Sequence, residues 1–190
     1  MPKIIDHDAY RREIAEKAAG VFARHGYSAL GMRQIAKETG ISKSALYHYF
    51  PGKEELFEAA TTAVLSRDLK LFGDISDEQA SSLKTDEKSA LFVSLLRQME
   101  PEFDGELRLL SDYLSGKNAA ERAADPLMQK AAYAYLNTFS RVFGQKHALP
   151  LYNLLMGSLL NRWLIGETSS LSYLQKWVAE VLDDGRADRE

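Results

Sequence analysis

The 190-residue chain contains no cysteine, which removes disulfide staples, thiolate nucleophiles and cysteine-ligated metals from consideration. Nowhere do apolar and polar residues alternate as they do along a half-buried strand. No apolar run reaches the length of a membrane span, and the opening residues, MPKIIDHDAYRRE, hold no signal-peptide core. The expectation is a soluble, cytoplasmic protein with no membrane partner. Enzyme signatures are missing as well. The four histidines, His7, His25, His48 and His147, show no HExxH spacing. Gly157-Ser158 lacks the frame of a nucleophile elbow, and there is no dinucleotide-binding glycine motif or P-loop. Asp6-His7-Asp8 reads as a helix-capping segment rather than a metal site. No catalytic residue, cofactor or metal is expected.

What the chain does have is apolar residues, 45% of the total, which suffices for a buried core. It also has an uneven charge distribution. Residues 1–53 hold nine Lys/Arg against five Asp/Glu, whereas the rest holds fifteen against twenty-two. That asymmetry suits a nucleic-acid-facing end on an acidic body.

The apolar pattern is helical almost throughout. Tyr10, Ile14, Ala18, Val21 and Phe22 share one helical face, which Asp6 or Asp8 caps and Gly26 terminates. A short helix over Met32–Thr39 stops at Gly40, and Ser42 caps another over Lys43–Phe50, which Pro51 halts. A longer helix follows Gly52. The polar stretch Gly73–Lys88 reads as a connector. Five more helices follow: about Thr85–Glu100, Pro101 to near Gly116, Asp125-Pro126 to Gly144, Pro150 to Gly166, and one from Ser169 or Ser170 to near Asp184.

Met32–Phe50 carries the functional signal. Two short helices meet at the tight turn Thr39-Gly40-Ile41-Ser42, with small Ala36 at the crossing and Ile35, Ile41 and Leu46 to hold its angle. Helices this short are unstable alone, so they must dock on Ile14, Ala18, Phe22, Leu56 and Phe57. The free face of the second one offers Lys43, Ser44, Tyr47 and His48: polar, aromatic and basic, and of a size that a DNA major groove admits.

The stretch VFARHGYSALGMRQIAKETGISKSALYHYFPGKEEL closely resembles the N-terminal domain of the tetracycline-repressor (TetR) family. Phe22, Gly26-Tyr27, Ile35-Ala36, Gly40-Ile41-Ser42, Leu46-Tyr47, Tyr49-Phe50 and Lys53-Glu54 match together and in order. The departure is Leu30-Gly31, where the family usually has hydroxyl residues. The resemblance implies an all-α protein of about nine helices. A three-helix DNA-binding domain (residues 1–52) would be joined by a fourth helix to a larger effector-binding and dimerisation domain (residues 53–190). It further implies DNA contacts residue by residue. Arg33 would reach a base edge or phosphate. Ser42 would lie at the interface, with Lys43, Ser44, Ala45 and His48 facing bases and adjoining backbone. Tyr47 and Lys53 would bind phosphates, and Tyr49 would divide between core and phosphate contact.

Within the body, the helix after Pro150 is apolar nearly all round, so more than one of its faces needs cover. Monomer core is one answer and a partner subunit the other; the resemblance implies a homodimer. Its interface would use Tyr152, Leu155, Met156, Leu159 and Trp163 from one helix and Leu174, Trp177, Val178 and Val181 from the last. The middle helices carry Phe92, Leu96, Met99, Phe103 and Leu110, then Tyr113, Tyr133, Leu136 and Phe139. Such a stripe serves as core by default, and the resemblance implies an effector cavity there for a small apolar or aromatic molecule. Asp112, Asn137, Asn153, Asn161 and Arg162 are its candidate polar groups. The implied function is a transcriptional repressor released by that effector from double-stranded DNA at a palindromic operator.

Overall fold

A computed structural model describes residues 6–73, 75–166 and 170–187, and every regular element among them is an α-helix. The first is α1 (His7–His25). Asp6 starts it, its carboxylate accepting from the Ala9 N–H at 2.9 Å, which settles the choice between the two candidate caps. Gly26, at φ 79°, ends it where a side chain would be strained. Next come α2 (Met32–Thr39), α3 (Lys43–Tyr49) and α4 (Lys53–Asp68). The remainder is α5 (Lys70–Gly73), α6 (Asp77–Ser82), α7 (Thr85–Met99), α8 (Phe103–Leu114), α9 (Ala119–Ala123), α10 (Pro126–Phe143), α11 (Gln145–Ile165) and α12 (Leu171–Ala187).

Nine of these match the helices expected from the sequence; α5, α6 and α9 are additional and short. Two of the three start with reciprocal caps. The Ser76 hydroxyl accepts from the Gln79 N–H while the Gln79 side chain accepts from the Ser76 N–H, and Asn118 and Glu121 do the same for α9. The stretch expected to be a connector therefore holds α6 and the first turn of α7. The other difference is Pro150, which does not start α11 but lies inside it, five residues beyond Gln145. A proline offers no N–H to the carbonyl one turn before it. Pro150 stands at the exposed surface, where water can take that donor's place. At α12 the Ser170 hydroxyl accepts from the Tyr173 N–H at 3.2 Å; Ser169 lies outside the described residues.

The described residues form two compact units. One contains the chain up to Arg67 together with Gly105–Ala131, and the other contains Asp68–Asp104 and the chain from Ala132 onward. In the first, Ile14, Ala18, Phe22, Ile35, Leu46, Phe50, Leu56 and Phe57 make a single core, each essentially inaccessible to water. Gly105 brings α8 close to α1: a Cβ there would stand 3.2 Å from that of Ala23. In the second unit α12 lies along α7 and α11, burying Leu151, Leu155 and Leu159 with Leu174, Val178 and Leu182. Phe72, Phe92, Phe139 and Phe143 pack edge to face or tilted, at 5.1–6.4 Å between ring centroids. Each fully buried phenyl ring contributes about 1.5–3 kcal/mol.

Candidate nucleic-acid interface

The turn between α2 and α3 is set by backbone chemistry. Gly40 is left-handed (φ 70°, ψ 17°), and its N–H reaches the Ala36 and Lys37 carbonyls. The Ile41 N–H returns to the Ala36 carbonyl at 3.1 Å, so the orphaned end of α2 is satisfied in the turn itself. Two residues after Gly40 the Ser42 hydroxyl accepts from the Ala45 N–H at 3.2 Å and opens α3. At the start of α2, Gly31 makes no side-chain cap bond, as its lack of a side chain requires. Leu46 and Phe50 then commit one side of α3 to the core.

The other side faces water. Ser42, Lys43, Ser44, Tyr47 and His48 are exposed, Ala45 and Tyr49 are half-buried, and Arg33 is exposed on α2. Lys43 lies 5.8 Å from the Tyr47 ring centroid, and Ser42 and Ser44 share a hydroxyl contact at 3.2 Å. The α3 residues form a basic, hydroxyl-rich strip, and Arg33 adds a second exposed cation on α2. Glu38, the acidic residue of α2, is held by His25 at 3.1 Å and Arg24 at 3.7 Å. The strip itself carries no carboxylate.

Lys53 is placed differently from a freely projecting phosphate ligand. Its ammonium donates to the Tyr27 carbonyl at 2.9 Å and stands 4.1 Å over the Tyr27 ring. An ammonium has three donors, so two stay available beside the start of α4.

That carbonyl belongs to an arrangement that spacing could not reveal. The Asp112 carboxylate on α8 accepts from the Ser28 N–H at 2.6 Å, across 84 residues of sequence. Tyr113, the next residue, packs against Tyr27 at 5.4 Å and Phe57 at 4.8 Å, and its hydroxyl donates to Asp125 at 3.0 Å. Asp125 in turn caps α10 through the Leu127 and Met128 N–H groups and pairs with Lys117. The Ser28 N–H bond holds the Asp112 carboxyl below its ordinary value, and the nearby Lys53 charge adds to this. Burial pushes Asp125 up, but Lys117, the Met128 N–H and the Tyr113 hydroxyl outweigh it and hold it low. Both carboxylates therefore stabilise the fold above the usual carboxylate range and cease to do so as pH falls through their folded values. In urea titrations the unfolding midpoint of the wild type should drop steeply below about pH 4, and less steeply in Asp112→Asn. Equal slopes would mean that the Ser28 bond does not discriminate between the charged and neutral carboxyl.

Of the residues assigned to an effector cavity, Phe92, Leu96, Met99 and Phe139 are buried together in the second unit, with Phe103 and Leu136 half-buried. Tyr133 is 72% exposed. Leu110, at the surface, and Tyr113 belong to the first unit. Among the candidate polar groups, Asp112 is taken by Ser28 and Arg162 pairs with Glu100 at 2.7 Å; Asn137, Asn153 and Asn161 are exposed. Of the interface residues, Leu155, Leu159, Leu174 and Val178 are buried within the chain's own core and Tyr152, Met156 and Val181 are half-buried. Trp163 and Trp177 stay exposed. The same two helices also expose Leu160, Leu164, Ile165 and Tyr173.

No helix among the described residues is long and apolar enough to cross a membrane, and no group of three potential metal ligands occurs among them. Residues 14–60 match the family model described as bacterial regulatory proteins, tetR family. The HTH-type transcriptional regulator PksA of Bacillus subtilis is 35% identical over 108 residues, 57% of this chain and 50% of PksA. The HTH-type transcriptional repressor KstR2 of Mycobacterium tuberculosis is 36% identical over 74 residues, 39% of this chain and 37% of KstR2. The chain thus spans half or less of these curated relatives. The solved structure of Salmonella enterica GusR superposes with a TM-score of 0.68 at 18% identity, covering 95% of this chain and 99% of that one, which is a likeness of fold.

Proposed function

Because this chain belongs to the tetR family of bacterial regulatory proteins, we propose that it is a sequence-specific transcriptional repressor. It acts as a homodimer on a palindromic operator and lets go when a small apolar or aromatic effector binds. The observation that carries this is the exposed strip Lys43, Ser44, Tyr47 and His48, with Arg33 exposed on α2, on a helix-turn-helix frame whose other side is fully committed to core. Residues 1–52 read DNA, and residues 53–190 hold the effector and the partner subunit. The dimer forms through Trp163 and Trp177 with Leu160, Leu164 and Tyr173 around them. Gly157, with open space where its Cβ would be, allows a partner helix to come close. The effector occupies the aromatic region around Phe92 and Phe139. It acts only through its differential affinity for the DNA-bound and released states, about 1–3 kcal/mol, by spoiling the match of two recognition helices to major grooves about 34 Å apart.

Selection of duplexes from a random pool should return a palindrome. Lys43→Ala or His48→Ala should then relax the preference at particular positions, each missing base interaction costing about 1–3 kcal/mol. Lys53→Ala should instead weaken binding equally on all duplexes and lower the salt slope by roughly one for each phosphate it no longer neutralises. A Lys53 variant that changes sequence preference, with Lys43 and His48 variants that do not, reverses these roles. A dimer that binds no duplex better than random DNA at low salt ends the DNA-binding reading.

A further inference from the structure

His7, at the start of α1, is outside the helix-turn-helix, yet its ring Nδ1 lies 2.6 Å from the Tyr49 hydroxyl at the end of α3. The His48 ring completes the group, 6.5 Å from His7 and 5.0 Å from Tyr49. Tyr10 packs edge-on against Tyr49 at 5.3 Å and fixes that ring from the core side. His7 and His48 are exposed and Tyr49 half-buried, so the cluster borders the DNA-reading strip.

One hydrogen lies between two atoms that can each donate or accept. A ring whose Nδ1 is bare accepts from the hydroxyl, and the tyrosine then has no hydrogen to give elsewhere. The imidazolium donates from both nitrogens. Its Nδ1–H goes to the tyrosine oxygen, the phenolic O–H turns outward, and Nε2–H becomes a charged donor. We propose that His7 and Tyr49 form a proton-linked phosphate clamp: protonation of His7 reverses their hydrogen bond, which frees the Tyr49 hydroxyl as a donor and puts positive charge on the Nε2–H the neutral ring already carries, both toward the DNA backbone beside the recognition helix. This deepens the DNA-binding reading above and rests on it. These are the other titratable and charged groups beside the pair among the described residues. On α1, Asp6 is occupied in capping Ala9, Asp8 is exposed, Tyr10 packs on the Tyr49 ring, and Arg11 is held 4.5 Å over the Phe50 ring; on α3, His48 faces it.

Histidine changes charge between about pH 5 and 8. The test is fluorescence anisotropy with the whole chain and its selected operator, between about pH 5.5 and 8.5 at constant ionic strength. Wild-type affinity should rise as pH falls, by about tenfold per subunit, the weight of one charge-assisted hydrogen bond. His7→Gln, which retains a neutral hydrogen-bonding group, should match the wild type at the alkaline end and lose the acid gain. Tyr49→Phe should lose the hydroxyl's share of that gain, and the double variant no more than His7→Gln alone. His48→Gln separates the titration of the neighbouring imidazole, since the His7-dependent gain should survive in it. A wild-type affinity indifferent to pH, a full acid gain in His7→Gln, or additive losses in the double variant would each overturn the clamp. Operator binding that persists at every pH in those cases leaves the DNA-binding reading standing, whereas absence of binding at any pH removes both.

Discussion

Trp177→Asp should turn the protein into a monomer in sedimentation velocity and cost operator affinity about two orders of magnitude or more, the loss that follows when two half-sites are no longer bound together. Trp177 is 41% exposed and Trp163 is 45% exposed in the single chain. Trp177 is not needed to hold α12, because Leu174 and Val178 already fill the core behind it, whereas the Trp163 indole N–H donates to Asp104 at 2.9 Å. The variant should therefore fold. Large aromatics desolvated at the centre of an interface dominate its energy, and an unpaired carboxylate put there costs about 3–5 kcal/mol. A soluble Trp177→Asp dimer of unchanged affinity would place the subunit contact elsewhere.

The second large effect concerns Phe139. Its ring is fully buried, 5.1 Å from Phe143 and 6.2–6.4 Å from Phe72, Phe92 and Tyr152. If these rings pack as a solid core, Phe139→Ala should reduce the unfolding free energy by about 3–5 kcal/mol, the usual combination of transfer and residual cavity. A region that opens to receive an effector is less tightly packed, and truncating its wall costs less. A penalty well under that range in urea unfolding, together with thermal stabilisation of the wild type by aromatic ligands that the variant no longer shows, would identify Phe139 as a ligand wall. The full penalty without any ligand response would leave it as core.

The helix-turn-helix was legible from the sequence because its determinants are local. Gly40 and Ser42 act within four residues of themselves, and the apolar spacing that docks α1 to α4 repeats within each helix. The same held for the Asp125 cap. Short helices were harder: α6 and α9 have no apolar stripe long enough to show a period, and their one signal was a capping pair, Ser76 with Gln79 and Asn118 with Glu121. Pro150 misled in the opposite direction, since a proline that commonly begins a helix can sit one turn inside it where water reaches the backbone. Apolar residues in α11 and α12 could be recognised as needing cover, but spacing does not say whether the same chain supplies it. The side-chain meetings at the DNA-reading end were out of reach altogether. His7 meets Tyr49 across 42 residues, and Asp112 meets Ser28 across 84; no periodicity encodes such pairs.

The second of these pairs restricts how freely the reading head can be exchanged. Under the proposed division, residues 1–52 look like a cassette that recombination could transplant onto another body. Yet the backbone ahead of α2 takes its acceptor from Asp112, and Tyr27 finishes its packing on Tyr113. A transplanted head would leave the Ser28 N–H without its carboxylate and Tyr27 without its aromatic neighbour Tyr113. Working hybrids therefore require either a recipient that happens to offer an acid and an aromatic ring at the matching turn of its own helix, or a graft that carries 105–131 along as a second, discontinuous insert. Under the proposed function, heritable changes of operator preference are consequently easier to make by point substitution on the outer side of α3 than by wholesale exchange of the head.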